Sequence, residues 1–117
     1  NLVFISELLK TTDPRAIRLA LMAHHYRTDW EWFDDEIDAG IALLGRLHGA
    51  AHRTGPAFDT TPFAAELNAA LDDDLDAPRA RTVLEQLADA IVQRGASGDG
   101  LVTLAARCGV DLTKPLG

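Results

Sequence analysis

Apolar side chains recur at helical spacing along most of this 117-residue chain, and a capping residue with a nearby proline precedes three of the stretches. Asp13-Pro14, Thr61-Pro62 and Asp76 with Pro78 each place an oxygen-bearing side chain where a helix can begin. Proline fits the first turn because the first amides of a helix have no partner inside it. Only residues 2–5 have a strand-like pattern. The sequence therefore predicts an all-α fold, an antiparallel helical bundle.

Six helices are predicted, and the apolar stripe of each marks the side expected to face the core. The first is short, from Ser6 through Lys10, and the third is long, from residue 34 to 53. Loops are predicted at TGPAFDT, residues 54–60, and at GASGDG, residues 95–100. The second helix also has Leu19 and Met22 on another side, which predicts burial on more than one face. The stripes of the last five helices are Ile17, Ala20, Leu21 and His24; Ile37, Ile41, Leu44, Leu47 and Ala51; Phe63, Leu67, Ala70 and Leu71; Val83, Leu84, Leu87, Ala88, Ile91 and Val92; and Leu101, Leu104, Ala105 and Cys108.

Acidic side chains outnumber basic ones, 18 against 11, and the formal net charge is −7. Proteins that bind nucleic acid concentrate basic side chains to replace phosphate counterions, and the sequence contains no such cluster. No apolar run approaches the roughly 20 residues that cross a bilayer, and the start lacks a signal-peptide pattern. We therefore expect a cytoplasmic domain without nucleic acid or membrane as partner. The missing initiator methionine predicts a fragment of a longer polypeptide.

The stretch AHHYRTDWEW, residues 23–32, contains both tryptophans and the only tyrosine of the chain. Adjacent histidines on a helix point about 100° apart, so His24 and His25 are poorly placed to share a metal ion. A contact surface is the alternative. Its candidate residues are His25, Tyr26, Arg27, Trp30 and Trp32. Each tryptophan has two interpretations that stay open at this point, a platform for a ligand or partner domain and a packed helix corner.

Other chemical candidates have simpler structural explanations. His48 and His52 have the i, i+4 spacing of a metal-binding pair but lack a third ligand nearby, which favours a solvated helix face. Cys108 lies on an apolar stripe, which favours a core residue over a nucleophile. The run of Asp72, Asp73, Asp74 and Asp76 favours helix capping over a metal site. GASGDG lacks the preceding strand and the lysine of a phosphate loop. The sequence thus predicts no catalytic residue and no metal ligand in this chain.

Three stretches together resemble the region that follows the catalytic core in cysteinyl-tRNA synthetases and their relatives. They are DPRAIRLALMAHHYR at 13–27, FAAELNAALDDDLDAPRA at 63–80 and the first four residues, which are similar to the segment after the mobile Lys-Met-Ser-Lys-Ser loop. Within the second stretch, Leu75, Asp76 and Ala77 stand where the family has Phe, Asn and Thr. The resemblance implies one C-terminal helical domain, residues 1–117, with a stem-contact-like segment at 1–33. Residues 34–117 are then a bundle like the anticodon-binding region.

Within that group, Thr28-Asp29-Trp30-Glu31-Trp32 after His-Tyr-Arg resembles the ligases of mycothiol biosynthesis. The resemblance implies an enzyme that uses ATP, passes through cysteinyl-adenylate and joins cysteine to the amine of glucosaminyl-inositol. The resemblance also implies that ATP and zinc are bound in the preceding catalytic domain, as in the family. This chain has neither the His-Ile-Gly-His signature nor a zinc ligand set. We therefore expect the fragment alone to be inactive and to have its own catalytic domain as partner, with no cofactor bound within these residues.

Two other functions compete with the ligase. A C-terminal, tRNA-contacting domain of a cysteinyl-tRNA synthetase predicts a basic surface on the folded chain. A stand-alone helical interaction module predicts a gene that begins near Asn1.

Overall fold

A computed structural model describes residues 7, 10–24, 34–73 and 75–116. Glu7, Lys10 and Thr11 are helical, in the region of the short helix predicted from Ser6, but Ser6 and residues 2–5 lie outside the described residues. No strand occurs in the described part of the chain, and the all-α class is confirmed there. None of its helices is long and apolar enough to cross a membrane. The likeness to an anticodon-binding region stays a prediction. The helices are α1 (Pro14–Met22), α2 (Asp34–Ala51), α3 (Thr61–Asp72), α4 (Ala77–Arg94) and α5 (Asp99–Arg107).

Two of the three predicted helix caps are confirmed, and the third is displaced. The Asp13 carboxylate accepts the Arg15 amide at 2.9 Å, and that of Asp76 accepts the Arg79 amide at 3.2 Å. Thr61, however, is the first residue of α3, and Thr60 stands at the cap without a side-chain bond. The Asp59 carboxylate accepts the Thr61 amide at 3.0 Å, so it replaces the threonine hydroxyl as acceptor for the first turn.

The turn before α5 is shorter than GASGDG predicts, since α5 begins at Asp99. Gly95 ends α4 at φ 60°, in the left-handed conformation that glycine adopts without strain. Ser97 Oγ accepts the Asp99 amide at 3.2 Å and supports the first turn of α5. The Gly98 amide donates to the Arg53 carbonyl at 3.1 Å. This turn therefore rests on the residues that follow α2, which ends at Ala51 rather than at Arg53.

Helices α1 and α2 run in opposite directions. The start of α1 lies beside Ile41 and Leu44 of α2, while His24 after α1 reaches back to Glu36 near the start of α2. By contrast, α2 and α4 run in the same direction, because Arg46 pairs with Asp89 and Gly55, just after α2, lies against Gly95 at the end of α4. Helix α1 packs on both α2 and α4, as does α5.

The core is almost wholly aliphatic and draws on all five helices, and most stripe residues are buried as predicted. Burial of α1 on more than one face is confirmed, with Ala16, Leu19, Ala20 and Met22 buried. Cys108 is buried at the end of α5, in agreement with the core interpretation. Val110 and Leu112, which follow α5 and belong to no predicted stripe, are fully buried. The chain after the last helix therefore adds two side chains to the core.

Three predicted stripe residues are exposed instead. Leu21, Ile41 and Val92 keep 37%, 48% and 47% of their surface in solvent. Val92 faces a groove between α2 and α4 where Gly45 and Gly49 supply no side chain to cover it. Ile41 stands at the edge of a second groove, between the start of α1 and α2. Ile41 and Val92 therefore line open grooves rather than a closed contact between helices.

Helices α1 and α2 approach each other closely at Gly40 of α2. A Cβ atom there would overlap the Ala16 carbonyl oxygen and lie 3.2 Å from the Ala20 Cβ. Glycine and two alanines thus allow the backbones of α1 and α2 to touch, and any larger residue at position 40 forces them apart.

We expect Gly40→Ala to destabilise the chain by about 1–3 kcal/mol, because its methyl group overpacks the α1–α2 contact. Gly49→Ala, on the same helix but with open space around its Cβ position, is the matched control. It should stabilise the chain by about 0.5–1 kcal/mol, since alanine is the better helix former. Equilibrium urea unfolding measures both changes. Equal stabilisation by the two substitutions would contradict the close contact.

Candidate functional site

The five candidate contact residues, His25, Tyr26, Arg27, Trp30 and Trp32, lie outside the described residues, and their roles stay predictions. The structure does describe the two flanks of their segment. Helix α1 ends at Met22 with Ala23 as C-cap, and α2 begins at Asp34. What the structure adds is how these two flanks are held.

A hydrogen-bonded pair joins the flanks. His24 Nε2 donates to a carboxylate oxygen of Glu36 at 2.8 Å, and each side chain keeps about a quarter of its surface exposed (26% and 27%). The sequence pattern predicts His24 on the apolar stripe of α1, and the helix predicted from residue 34 contains Glu36. The pattern missed their pairing because twelve residues separate them. The pair joins the end of α1 to the first turn of α2.

Arg81 of α4 holds the end of α1 from the other side. The last turn of α1 is tightened, with the Ala23 amide bonded to the Ala20 carbonyl at 3.2 Å. Arg81 Nη1 donates to the Leu19 carbonyl at 2.9 Å, and Glu85 Oε1 lies 3.6 Å from Arg81 Nε. The last carbonyls of a helix lack partners within it, and a cation there also suits the helix dipole. Arg81 therefore fixes the end of α1 against α4.

Arg15 fixes the start of α1, as Arg81 fixes its end. Its guanidinium forms a two-pronged pair with Asp13, with Nη2 and Oδ2 at 2.7 Å and Nε and Oδ1 at 3.0 Å. Nη1 also donates to the carbonyls of Asp111 and Lys114, at 2.7 and 2.9 Å. The hydrogen bonds from Arg15 lower the pKa of the Asp13 carboxyl below its ordinary 3.8, against a smaller opposing effect of burial. One side chain thus links the cap of α1 to the end of the chain.

Residues 109–116, which we call the C-terminal tail, are held by two further donors. Arg18 Nε donates to the Cys108 carbonyl at 2.6 Å, where the tail begins. His48 Nε2 of α2 donates to the Lys114 carbonyl at 3.1 Å. Gly109 has φ 79°, and a Cβ there would lie 2.7 Å from Arg18 Nε. The tail therefore crosses α1 and α2 in a fixed position and covers the core with Val110 and Leu112.

Backbone hydrogen bonds or burial account for His48, His52 and Cys108. The rings of His48 and His52 stack with centroids 4.1 Å apart, and His52 Nδ1 donates to the His48 carbonyl at 2.9 Å. Burial raises the pKa of the Cys108 thiol, and the charge of Arg18 opposes this only in part. In the described part of the chain, no three His, Cys, Asp or Glu side chains meet as a metal site. Asp76 caps α4, as predicted, while Asp74 lies outside the described residues.

Most basic side chains of the described helices bind partners within the chain. Arg46 reaches Asp89 at 2.7 Å and Glu85 at 3.7 Å, and Arg107 donates to the Asn68 amide oxygen at 3.1 Å. Arg15, Arg18 and Arg81 point to carboxylates and carbonyls, as described above. A guanidinium in such a pair contributes less field at the surface than a free one.

Arg81→Met should destabilise the chain by about 1–3 kcal/mol, because the Leu19 carbonyl loses its donor while the aliphatic stem is kept. Arg79→Met, an exposed position two residues away, is the control and should have little effect. Urea unfolding of the two variants measures the difference. An equal loss of unfolding free energy in the two variants would show that the positive charge of α4 stabilises the chain, rather than the bond from Arg81 to α1.

Asp13→Asn should reduce the acid sensitivity of the fold. A lowered pKa in the folded state means that the charged pair stabilises the chain above the ordinary pKa of 3.8. This contribution is lost as the pH falls through the lower folded value. Asparagine keeps the cap but not the charge. The variant should therefore be less stable than wild type near neutral pH, with the difference shrinking between about pH 5 and about pH 2. Urea unfolding across that range is the measurement.

Glu66→Gln, at an exposed carboxylate of α3, is the control for the acid series and should follow the wild-type curve. A constant gap between Asp13→Asn and wild type at every pH would contradict the charged pair.

Comparison with known proteins identifies relatives whose names state an activity. No protein-family profile matches the chain. The chain does match curated proteins named L-cysteine:1D-myo-inositol 2-amino-2-deoxy-alpha-D-glucopyranoside ligase. The one from Streptosporangium roseum is 46% identical over 105 residues, which are 89% of this chain and 25% of the ligase. The one from Sanguibacter keddieii is 48% identical over 91 residues, 76% of this chain and 21% of the ligase. The one from Catenulispora acidiphila is 46% identical over 109 residues, which are 91% of this chain and 24% of the ligase.

The chain therefore spans about a quarter of the length of the curated relatives that it matches. At this identity over most of the chain, the resemblance predicted from residues 13–27, 63–80 and 28–32 is confirmed. The chain is similar to one segment of these cysteine ligases.

Proposed function

We propose, from this relation to the cysteine:glucosaminyl-inositol ligases, that the chain is the C-terminal helical part of such an enzyme. The match of nearly the whole chain to a segment of those proteins carries the proposal. The full enzyme would convert cysteine to cysteinyl-adenylate by attack of the cysteine carboxylate on the α-phosphate of ATP, with release of pyrophosphate. The amine of glucosaminyl-inositol would then displace AMP and form the amide bond of the mycothiol precursor.

The chain's part in this reaction is support rather than chemistry. The side-chain groups that the structure brings together hold helices and the tail, and the described residues offer no set of ligands that fits zinc. We therefore assign ATP and zinc to the catalytic part of the longer polypeptide, as the family resemblance implies, and derive no step from this chain. Its partner is that catalytic part, and the cytoplasm is the proposed location.

Within this role, the segment between α1 and α2 is the proposed contact with the catalytic part or the acceptor. The paired His24 and Glu36 support this proposal, because they fix both flanks of residues 25–33 on packed helices. Arg27 has the planar donors that suit a carboxylate or carbonyl, and a tryptophan ring can lie against a sugar. The internal pairing of the largely buried Arg15 and Arg81 favours a small acceptor over tRNA, which needs free basic groups.

Full-length protein containing this segment should consume ATP and join cysteine to glucosaminyl-inositol, whereas this chain alone should do neither. Quantifying the amide product by mass spectrometry tests the first expectation, and charging of cysteine tRNA under the same conditions is the comparison. Charging of tRNA without ligation would show that the protein is a cysteinyl-tRNA synthetase and would overturn the proposal. Neither activity in a folded full-length protein would favour the interaction module.

Trp30→Ala in the full-length protein should raise the KM for glucosaminyl-inositol and leave cysteine-dependent ATP–pyrophosphate exchange unchanged, because exchange does not require the acceptor. Leu75→Ala, at an exposed leucine far along the chain from this segment, is the control. If Trp30→Ala lowers both activities equally, position 30 holds the domains together and does not contact the acceptor.

A further inference from the structure

An apolar groove lies where the entry to α1 meets α2 and the C-terminal tail. It has a volume of about 260 Å³, and its walls include Thr12, Ala16, Ile41, Gly45 and Leu116. Ile41 and Leu116 keep 48% and 49% of their surface exposed, which places them among the most exposed large apolar residues of the described chain. Ile41 belongs to the stripe that the sequence predicts as buried. The groove therefore presents two large aliphatic side chains that this chain does not cover.

A second, more polar groove adjoins the first. It has a volume of about 640 Å³ and shares Thr11, Thr12 and Asp13 with the apolar one. Lys10 and Lys114 add positive charge to its lining. Asp13 is already paired with Arg15, so covering the grooves does not leave that carboxylate without a partner. An apolar centre beside a polar, charged margin is the usual composition of a protein–protein contact.

We propose that this double groove docks the remaining part of the same longer polypeptide. The inference rests on the proposed function, in which the catalytic part is joined to this chain. The curated relatives are about four times as long as the segment matched, so most of such a protein lies outside these residues. A covalent tether gives the missing part a high effective concentration at this surface, and a contact of modest size then suffices.

A second copy of the chain is the less suitable occupant. Stable dimers bury about 800 Å² on each partner, usually around a substantial apolar centre. Here the apolar centre consists mainly of Ile41 and Leu116, and the adjoining surface is polar. Contacts between domains of one chain are smaller and more polar, which fits this composition.

The test places a photo-crosslinking benzoylphenylalanine at position 41 of the full-length protein, with position 92 as the matched control. Val92 is a β-branched residue of almost the same exposure, 47%. It lies outside the double groove, in a separate groove between α2 and α4. We expect crosslinks from position 41 to residues outside this segment in the same molecule, identified by mass spectrometry. Crosslinks between two copies, or only to residues 1–9 of the segment, would overturn the proposal.

Charge substitutions give a second readout in the same protein. Ile41→Glu and Leu116→Glu should each lower ligase kcat/KM by about tenfold through misplacement of the docked part, and Val92→Glu should not. Leu116 lies in the tail, so its substitution disturbs no helix. Equal activity of Ile41→Glu, Leu116→Glu and Val92→Glu overturns the docking. If the wild-type protein is no ligase but position 41 still crosslinks outside the segment, the docking stands and the proposed function fails.

Discussion

The contact between α1 and α2 at Gly40 is the constraint on which the other connections depend. Because position 40 has no side chain, the backbone of α1 lies directly against α2, with Ala16 and Ala20 at the contact. Helix α1 is only nine residues long, and short isolated helices are unstable in water. Its stability must come from packing. The bonds of Arg15, Arg18 and Arg81 all have one end on α1, so they require α1 to be in place.

Helix α1 is held differently at its two ends, and each end lies beside one of the two proposed contact surfaces. At its start, Asp13 and Arg15 link it to the C-terminal tail beside the double groove. At its end, Arg81 and the pair of His24 with Glu36 fix the flanks of the segment that contains the candidate contact residues. A catalytic part that contacted both ends would span a helix of roughly 14 Å at 1.5 Å per residue. One docked domain can reach that far.

The internal use of cations links the charge of the chain to its proposed acceptor. An acidic chain with 11 basic residues has few cations to spare, and several arginines here satisfy backbone carbonyls. These carbonyls lie at helix ends and in the tail. The same arginines are therefore poorly available for phosphates, which is compatible with a small sugar acceptor.

The sequence by itself determined the helical class, the caps at Asp13 and Asp76, most of the core and the ligase resemblance. These follow from local spacing, or from motifs, and need no knowledge of how the chain folds back. Only the tertiary structure decided that Ile41 and Val92 are exposed, that Val110 and Leu112 are buried and that Arg81 bonds to Leu19, 62 residues away. Burial depends on which helix lies opposite, and bonds between distant residues leave no periodic pattern. The physical reason is that periodicity selects one face of a helix, whereas neighbouring elements decide which part of that face is covered.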